Sequence, residues 1–127
     1  MILFYNIFMS FYRVHIKEPW YSLIKNGKKT SEGRLNKGIF SQMKEGDIVE
    51  WFNSQDIIPK NFKTKITKVI KYKSFYECIK NEGLENILPV NGINNIEQGV
   101  KEVYYKYYTP GKEKKFGVLA IRVKLIE

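Results

Sequence analysis

Eight consecutive residues, GKKTSEGR (Gly27 to Arg34), place two lysines, a glutamate and an arginine around two hydroxyls. Lysine and arginine side chains only donate hydrogen bonds, and an ionised carboxylate only accepts them. Brought together, such groups grip a polar ligand or polarise a carbonyl or phosphate, and the carboxylate can serve as general acid or base. The chain has 19 lysines but only three arginines, Arg13, Arg34 and Arg122. In so lysine-biased a sequence an arginine is kept for its planar fork, which holds a carboxylate or phosphate through two parallel bonds. If the stretch is a strand, alternation puts Thr30, Glu32 and Arg34 on one face and Ser31, Gly33 and Leu35 on the other. Lys29 then stands at the strand's entrance, near the C-terminal end of a preceding helix whose partial negative charge favours it. Glu32 beside it favours the protonated lysine, a good donor but a poor base. The plain alternative is a ladder of surface charges, each exposed pair worth about 0–1 kcal/mol.

Other residues join this set as candidates. His15, the lone histidine, is a general base, a stacking group or a structural hydrogen-bonder. Trp20 either walls a cleft or belongs to the core. Lys28 flanks Lys29. Lys63, Lys65 and Lys71 belong to a run, residues 60–73, with six lysines and no acid, and are candidate phosphate contacts; lysines that guard an edge strand look the same. Among Tyr104, Tyr105, Tyr107 and Tyr108, helical spacing sends Tyr104 and Tyr107 to the core and leaves the others nearer the surface to stack bases. Cys78 reads as inert packing. One cysteine and one histidine cannot furnish a structural zinc site. No metal and no cofactor is expected.

The elements that must position these groups can be read from periodicity. Tyr12, Val14 and Ile16 alternate with polar residues as in a half-buried strand. Pro19, then Trp20, Leu23 and Ile24, make a short helix that Asn26-Gly27 stops. Strands follow at Thr30–Leu35 and Ile48–Phe52, the second after a Gly46-Asp47 turn, and then a polar loop over 53–61. Phe62 to Tyr72 is a long strand with Phe62, Thr64, Ile66, Ile70 and Tyr72 on one face; Lys68 breaks that face, which calls for a bulge near Thr67-Lys68 or a snorkelling lysine. Ser74 with Glu77 is a capping box opening a helix to about Glu82, with Gly83 as its stop. Asn95 with Gln98 opens another, ended by Thr109-Pro110-Gly111. Phe116 to Leu125 is apolar on both faces, as in a central strand. Strands outnumber helices without βαβ alternation. An α+β fold results: a small, mostly antiparallel barrel with flanking helices.

A chain of 127 residues suits one core. We divide it into an N-terminal extension, residues 1–11, and a domain over 12–127, with Met9 as an alternative start. The apolar MILFYNIFMSFY is too short to span a bilayer and lacks a basic leader. No membrane association is expected, and a single cysteine suits a reducing cytoplasm. The net charge of +9 and pI near 9.5 suit a polyanionic partner. The charge is uneven: residues 13–37 carry net +5 and 60–73 net +6, while 38–59 carry net −3. The Lys-, Asn- and Ile-rich composition of AT-rich coding raises lysine by itself, so the distribution says more than the total. A monomer is expected.

The pattern Gly27-x-Lys29-x-x-Glu32-x-Arg34 resembles the signature of the ASCH domain family, whose fold is PUA-like. The likeness extends to HIKEPWYSLIKNGKKTSEGRL, KEGDIVEW, KVIKYKSFYECI and GVLAIRVKLIE, and so covers roughly residues 12–126. The resemblance implies a β-barrel with a cleft between barrel and helices, lined at Lys29, Glu32 and Arg34, and binding RNA or a modified nucleoside. Small bacterial members are amidohydrolases that deacetylate N4-acetylcytidine with a lysine, a threonine and a glutamate. Lys29 matches the lysine. The threonine's position, three residues on, holds Glu32, and Thr30 and Ser31 lie out of register. Near NGINNIEQG, Glu97 or a neighbour would have to supply the distal glutamate. On this likeness Lys29 and Glu32 are the catalytic candidates. A coactivator-like protein-interaction module is the third reading.

Overall fold

The longest alternation in the sequence forms the longest strand. In a computed structural model, which describes residues 9–54 and 61–126, the strands are β1 (Phe11–His15), β2 (Ser31–Leu35), β3 (Ile48–Phe52), β4 (Phe62–Tyr72) and β5 (Val118–Leu125). The α-helices are α1 (Trp20–Lys25), α2 (Phe75–Glu82), α3 (Leu84–Ile87), α4 (Ile96–Glu102) and α5 (Pro110–Phe116), with 3-10 turns at Gly38–Gln42 and Tyr104–Lys106. Most of the N-terminal extension and of the polar loop lies outside the described residues.

The five strands form one sheet in the order β1-β3-β4-β5-β2. β1 runs parallel to β3, and the other three pairs are antiparallel. No pairing joins β1 to β2 among the described residues. The expected barrel is therefore an open, curled half-barrel with a mixed sheet.

Two apolar clusters hold it. The first packs Tyr21 and Ile24 of α1 against Val14, Trp51, Ile66 and Ile121; the second packs Phe75, Ile79, Ile87, Val100 and Tyr104 against Leu35, Val118 and Ala120. β5 feeds both, with Leu119, Ile121 and Val123 in the first cluster and Val118 and Ala120 in the second. That is the two-faced burial its apolar run predicts. Burial at about 25 cal/mol per Å² makes these faces the main stabilising term.

The register of β4 on β5 shifts between Ile66 and Lys68. The bulge keeps Lys68 exposed and brings Val69 to the first cluster. It also reverses the alternation, so Tyr72 packs on the second cluster and not on the face of Phe62 and Ile66.

The Ser74 and Asn95 caps form as expected, accepting from the backbone N–H of Glu77 and Gln98. Thr109-Pro110-Gly111 does the opposite of what was expected. Thr109 caps α5 by accepting from Lys112, and Pro110 takes the first turn, where a missing N–H costs nothing. Phe116 therefore closes a helix and does not open β5. α4 stops at Glu102 and the chain tightens into a 3-10 turn. That resets the helical spacing: Tyr104 is buried as expected, while Tyr107 is 59% exposed.

Candidate functional site

The site begins where α1 ends. Asn26 caps that helix and Gly27 takes φ +83, a conformation that favours glycine. The turn lets the Lys29 backbone N–H donate to the Leu23 carbonyl at 2.9 Å. The Lys29 side chain leaves that helix end. Its Nζ donates to the Ser31 carbonyl at 2.6 Å and to the Ile87 carbonyl, the last of α3, and stands 3.3 Å from Glu32 Oε1. The helix end that holds the ammonium is therefore that of α3, not α1, because β2 enters beneath α3. Trp20 lies over the nitrogen, 5.4 Å from ring centre to Nζ.

Lys29 is 2% exposed. Burial is the largest influence on it and lowers its pKa, and Glu32 recovers only part of that. Glu32 does favour the protonated lysine, as expected, but burial outweighs it. Even so, three acceptors meet its three N–H donors, the pattern an ammonium requires.

Burial by itself would raise the Glu32 carboxyl. Arg34, and then Lys29, outweigh it and hold the group below the usual carboxylate range. Arg34 donates from Nε to Glu32 Oε2 at 2.8 Å. The guanidinium lies 4.7 Å from the centre of the Phe40 ring and interacts electrostatically with Tyr108. Burial would lower the Arg34 pKa, but Glu32 raises it overall. Glu32 is thus a fixed anion with one cation on each oxygen, and each oxygen retains accepting capacity.

These groups floor a cleft of about 200 Å³. Trp20, Tyr104, Tyr107 and Tyr108 supply aromatic walls, and His15 and Lys17 stand at one side. Tyr104 stacks on Phe75 at 4.2 Å, and Phe75 on Tyr108 at 5.4 Å, which fixes the aromatic wall to the second cluster. Gly33 makes room for Tyr104: a Cβ there would sit 2.7 Å from its hydroxyl oxygen. That hydroxyl is buried without a hydrogen-bond partner, and burial raises its pKa well above the usual value.

His15, Trp20, Lys29, Glu32 and Arg34 therefore converge on one cleft. Lys28 and Thr30 do not line it and are exposed; Thr30 precedes β2, and its N–H and carbonyl bond Asn86 and Val123. His15 Nε2 is 3.0 Å from Ser54 Oγ, and its ring meets Phe52 edge-on. Lys63, Lys65 and Lys71 lie along β4 away from the cleft, with Lys63 over the Phe11 ring. Glu97 is exposed in the first turn of α4. Among the described residues Glu32 is the one carboxylate lining the cleft. No group of His, Cys, Asp and Glu side chains suited to a metal occurs among the described residues. Cys78 is buried beneath the site, and burial pushes its thiol up to about 12.

One polar cluster escaped the reading of the sequence. Glu82, at the end of α2, receives a two-pronged grip from Arg122, Nε to Oε1 at 2.8 Å and a terminal nitrogen to Oε2 at 2.9 Å. Ser31 and Tyr72 hydroxyls donate to the same carboxylate at 2.9 and 2.7 Å. The bidentate arginine is thus Arg122, and it secures the back of β2 directly behind Glu32. The scarcity of arginine was the available signal; its partner, 40 residues away, left none.

The ASCH domain model matches residues 14–127. The crystal structure of the hypothetical protein PH0355 is 39% identical, covering 91% of this chain and 99% of that one, with a TM-score of 0.78. The solution structure of protein PF0455 from Pyrococcus furiosus is 36% identical, covering 92% and 98%, with a TM-score of 0.72. No curated protein matches the chain. Among the described residues no helix is long and apolar enough to cross a membrane.

Proposed function

Because this chain belongs to the ASCH domain family, we propose that its open half-barrel is a PUA-like RNA-binding fold whose cleft takes one nucleotide base. The observation that carries this reading is the joining of a fixed Lys29–Glu32–Arg34 floor to aromatic walls at Trp20, Tyr107 and Tyr108. A planar heterocycle stacks on aromatic faces, and its edge offers donors to Glu32 and acceptors to Arg34. The cleft, at about 200 Å³, is smaller than the roughly 300–1,000 Å³ of drug-sized sites. That suits one ring system and not a folded oligonucleotide.

Hydrolysis of an acylated nucleoside is the second reading. It draws on the lowered Lys29 pKa and on Glu32 as acid or base. Against it, the Lys29 nitrogen is enclosed by two backbone carbonyls and Glu32, so it has no lone pair free for attack or proton abstraction.

Binding of a random RNA pool at low salt tests the first reading. The expected result is binding that Arg34→Ala weakens. No binding to the pool would return the domain to a protein-interaction role.

A further inference from the structure

Two more concavities lie beyond the cleft, the first adjoining it and the second sharing no lining residue with either. The first shares Arg34, Tyr107 and Tyr108 with it and adds Lys37, Phe40 and Lys112, in about 330 Å³. The second, about 440 Å³, is lined by Lys71 and Lys73 at the end of β4 and by Lys114, Lys115 and Phe116 of α5. Phe116 links the two: Lys37 lies 4.9 Å from its ring centre on the side of the first, and Lys115 lies 5.2 Å from it.

These six lysines, Lys37, Lys71, Lys73, Lys112, Lys114 and Lys115, are exposed, and none pairs with a carboxylate among the described residues. The neighbouring acids are engaged otherwise. Glu113 is turned inward to the Phe75 N–H and the Tyr105 hydroxyl. Glu77 accepts from the Lys73 backbone N–H and does not line the groove. The result is two neighbouring hollows of uncompensated positive charge, bridged by the Lys37–Phe116 contact, the first of them adjoining a base-sized cleft.

We propose that the phosphate backbone of a single-stranded RNA leaves the cleft past Arg34, crosses Lys37 and Lys112, and is held in the groove of Lys71, Lys73, Lys114 and Lys115. This rests on the reading of the cleft as a nucleotide site and makes the ligand an oligonucleotide, not a free nucleoside. It also moves the phosphate contacts along β4. Lys63 and Lys65 are at the far end of that strand; at about 3.3 Å per residue, Lys65 is roughly 20 Å from Lys71. That exceeds the screening length of about 8–10 Å at physiological salt, so the far pair contributes little to the groove.

The test titrates a labelled 12-nucleotide RNA of random sequence at several salt concentrations. It compares the unmodified protein, Lys114→Gln/Lys115→Gln, and the charge-matched control Lys63→Gln/Lys65→Gln. Each phosphate contact on a single strand contributes about −0.7 to the slope of log K against log salt. The groove pair should flatten the slope by up to about 1.4, and the control should leave it unchanged. Equal slopes in all three proteins, or flattening only in the control, overturn the groove while leaving the cleft reading intact. Binding of nucleosides alone, with none of the 12-nucleotide strand, also overturns the groove and keeps the cleft. No binding of either overturns both.

Discussion

Lys29 Nζ and Glu32 Oε1 lie 3.3 Å apart with side-chain exposures of 1% and 10%. Two opposite charges shut away from water need each other more than a surface pair does. Removing one partner of a buried pair typically costs about 3–5 kcal/mol, because the other is left uncompensated. Lys29→Ala is expected to destabilise the fold by about that amount in urea unfolding. Lys29→Ala with Glu32→Gln should cost clearly less than the sum of the single changes. Simple additivity would place these groups outside one network.

Gly33 and Tyr104 form a steric pair. Gly33→Ala drives a methyl to 2.7 Å from the tyrosine oxygen, on a strand and a stacked ring that have little room to move. Overpacking of this kind costs about 1–3 kcal/mol. Tyr104→Phe removes the hydroxyl, which has no partner. Alone it should be near neutral or stabilising, since the oxygen is buried at a cost. In the Gly33→Ala background it should recover part of the loss. Thermal melts of the four proteins check this, and a purely additive result would contradict the packing.

Acid sensitivity follows from Glu82. Burial by itself would raise its carboxyl, but the Arg122, Tyr72 and Ser31 hydrogen bonds outweigh that and lower its pKa from the usual 4.5. The unfolded chain then binds more protons than the folded one in the acid range, so stability rises with pH there. The contribution is complete above about pH 4.5 and is lost as pH falls through the lower folded value. Unfolding free energy measured from pH 7 to 3 should therefore drop, and Glu82→Gln should make the drop shallower. Arg122→Lys should cost about 1–3 kcal/mol; the lower figure reflects a side chain that is 41% exposed. An unchanged acid limb in Glu82→Gln would contradict this assignment.

Much of this was legible in the chain. β4 begins and ends where its alternation does, and Lys68 alone announced the bulge. Caps at Ser74 and Asn95 are local chemistry, satisfied within three residues, and so were readable. Thr109-Pro110-Gly111 was not, because proline and glycine mark either end of a helix and only tertiary context decides. That Glu32 and Arg34 line a cleft came from the family resemblance, and that they share a face followed from strand alternation. The destination of Lys29 did not, since it meets a carbonyl 58 residues away. Thr30 misled for a related reason: alternation assigns a face only inside a strand, and β2 starts one residue later.

Acetate release from N4-acetylcytidine separates binding from turnover. With every Lys29 N–H matched and no second carboxylate in the cleft among the described residues, little or no release is expected. Robust release that Lys29→Ala abolishes would make the domain a hydrolase with Glu32 in the role of the missing threonine.

The two tryptophans allow the most direct test of the cleft as the RNA site. Trp20 walls the cleft, while Trp51 is buried in the first cluster with its indole N–H on Thr64 Oγ1 at 2.8 Å. A titration of ¹⁵N-labelled protein with the random RNA, followed through the two indole N–H signals, reads the cleft and an internal control together. The account predicts that the Trp20 signal shifts saturably, that Trp51 stays in place, and that Arg34→Ala abolishes the Trp20 shift. RNA binding that leaves the Trp20 signal unmoved would contradict it.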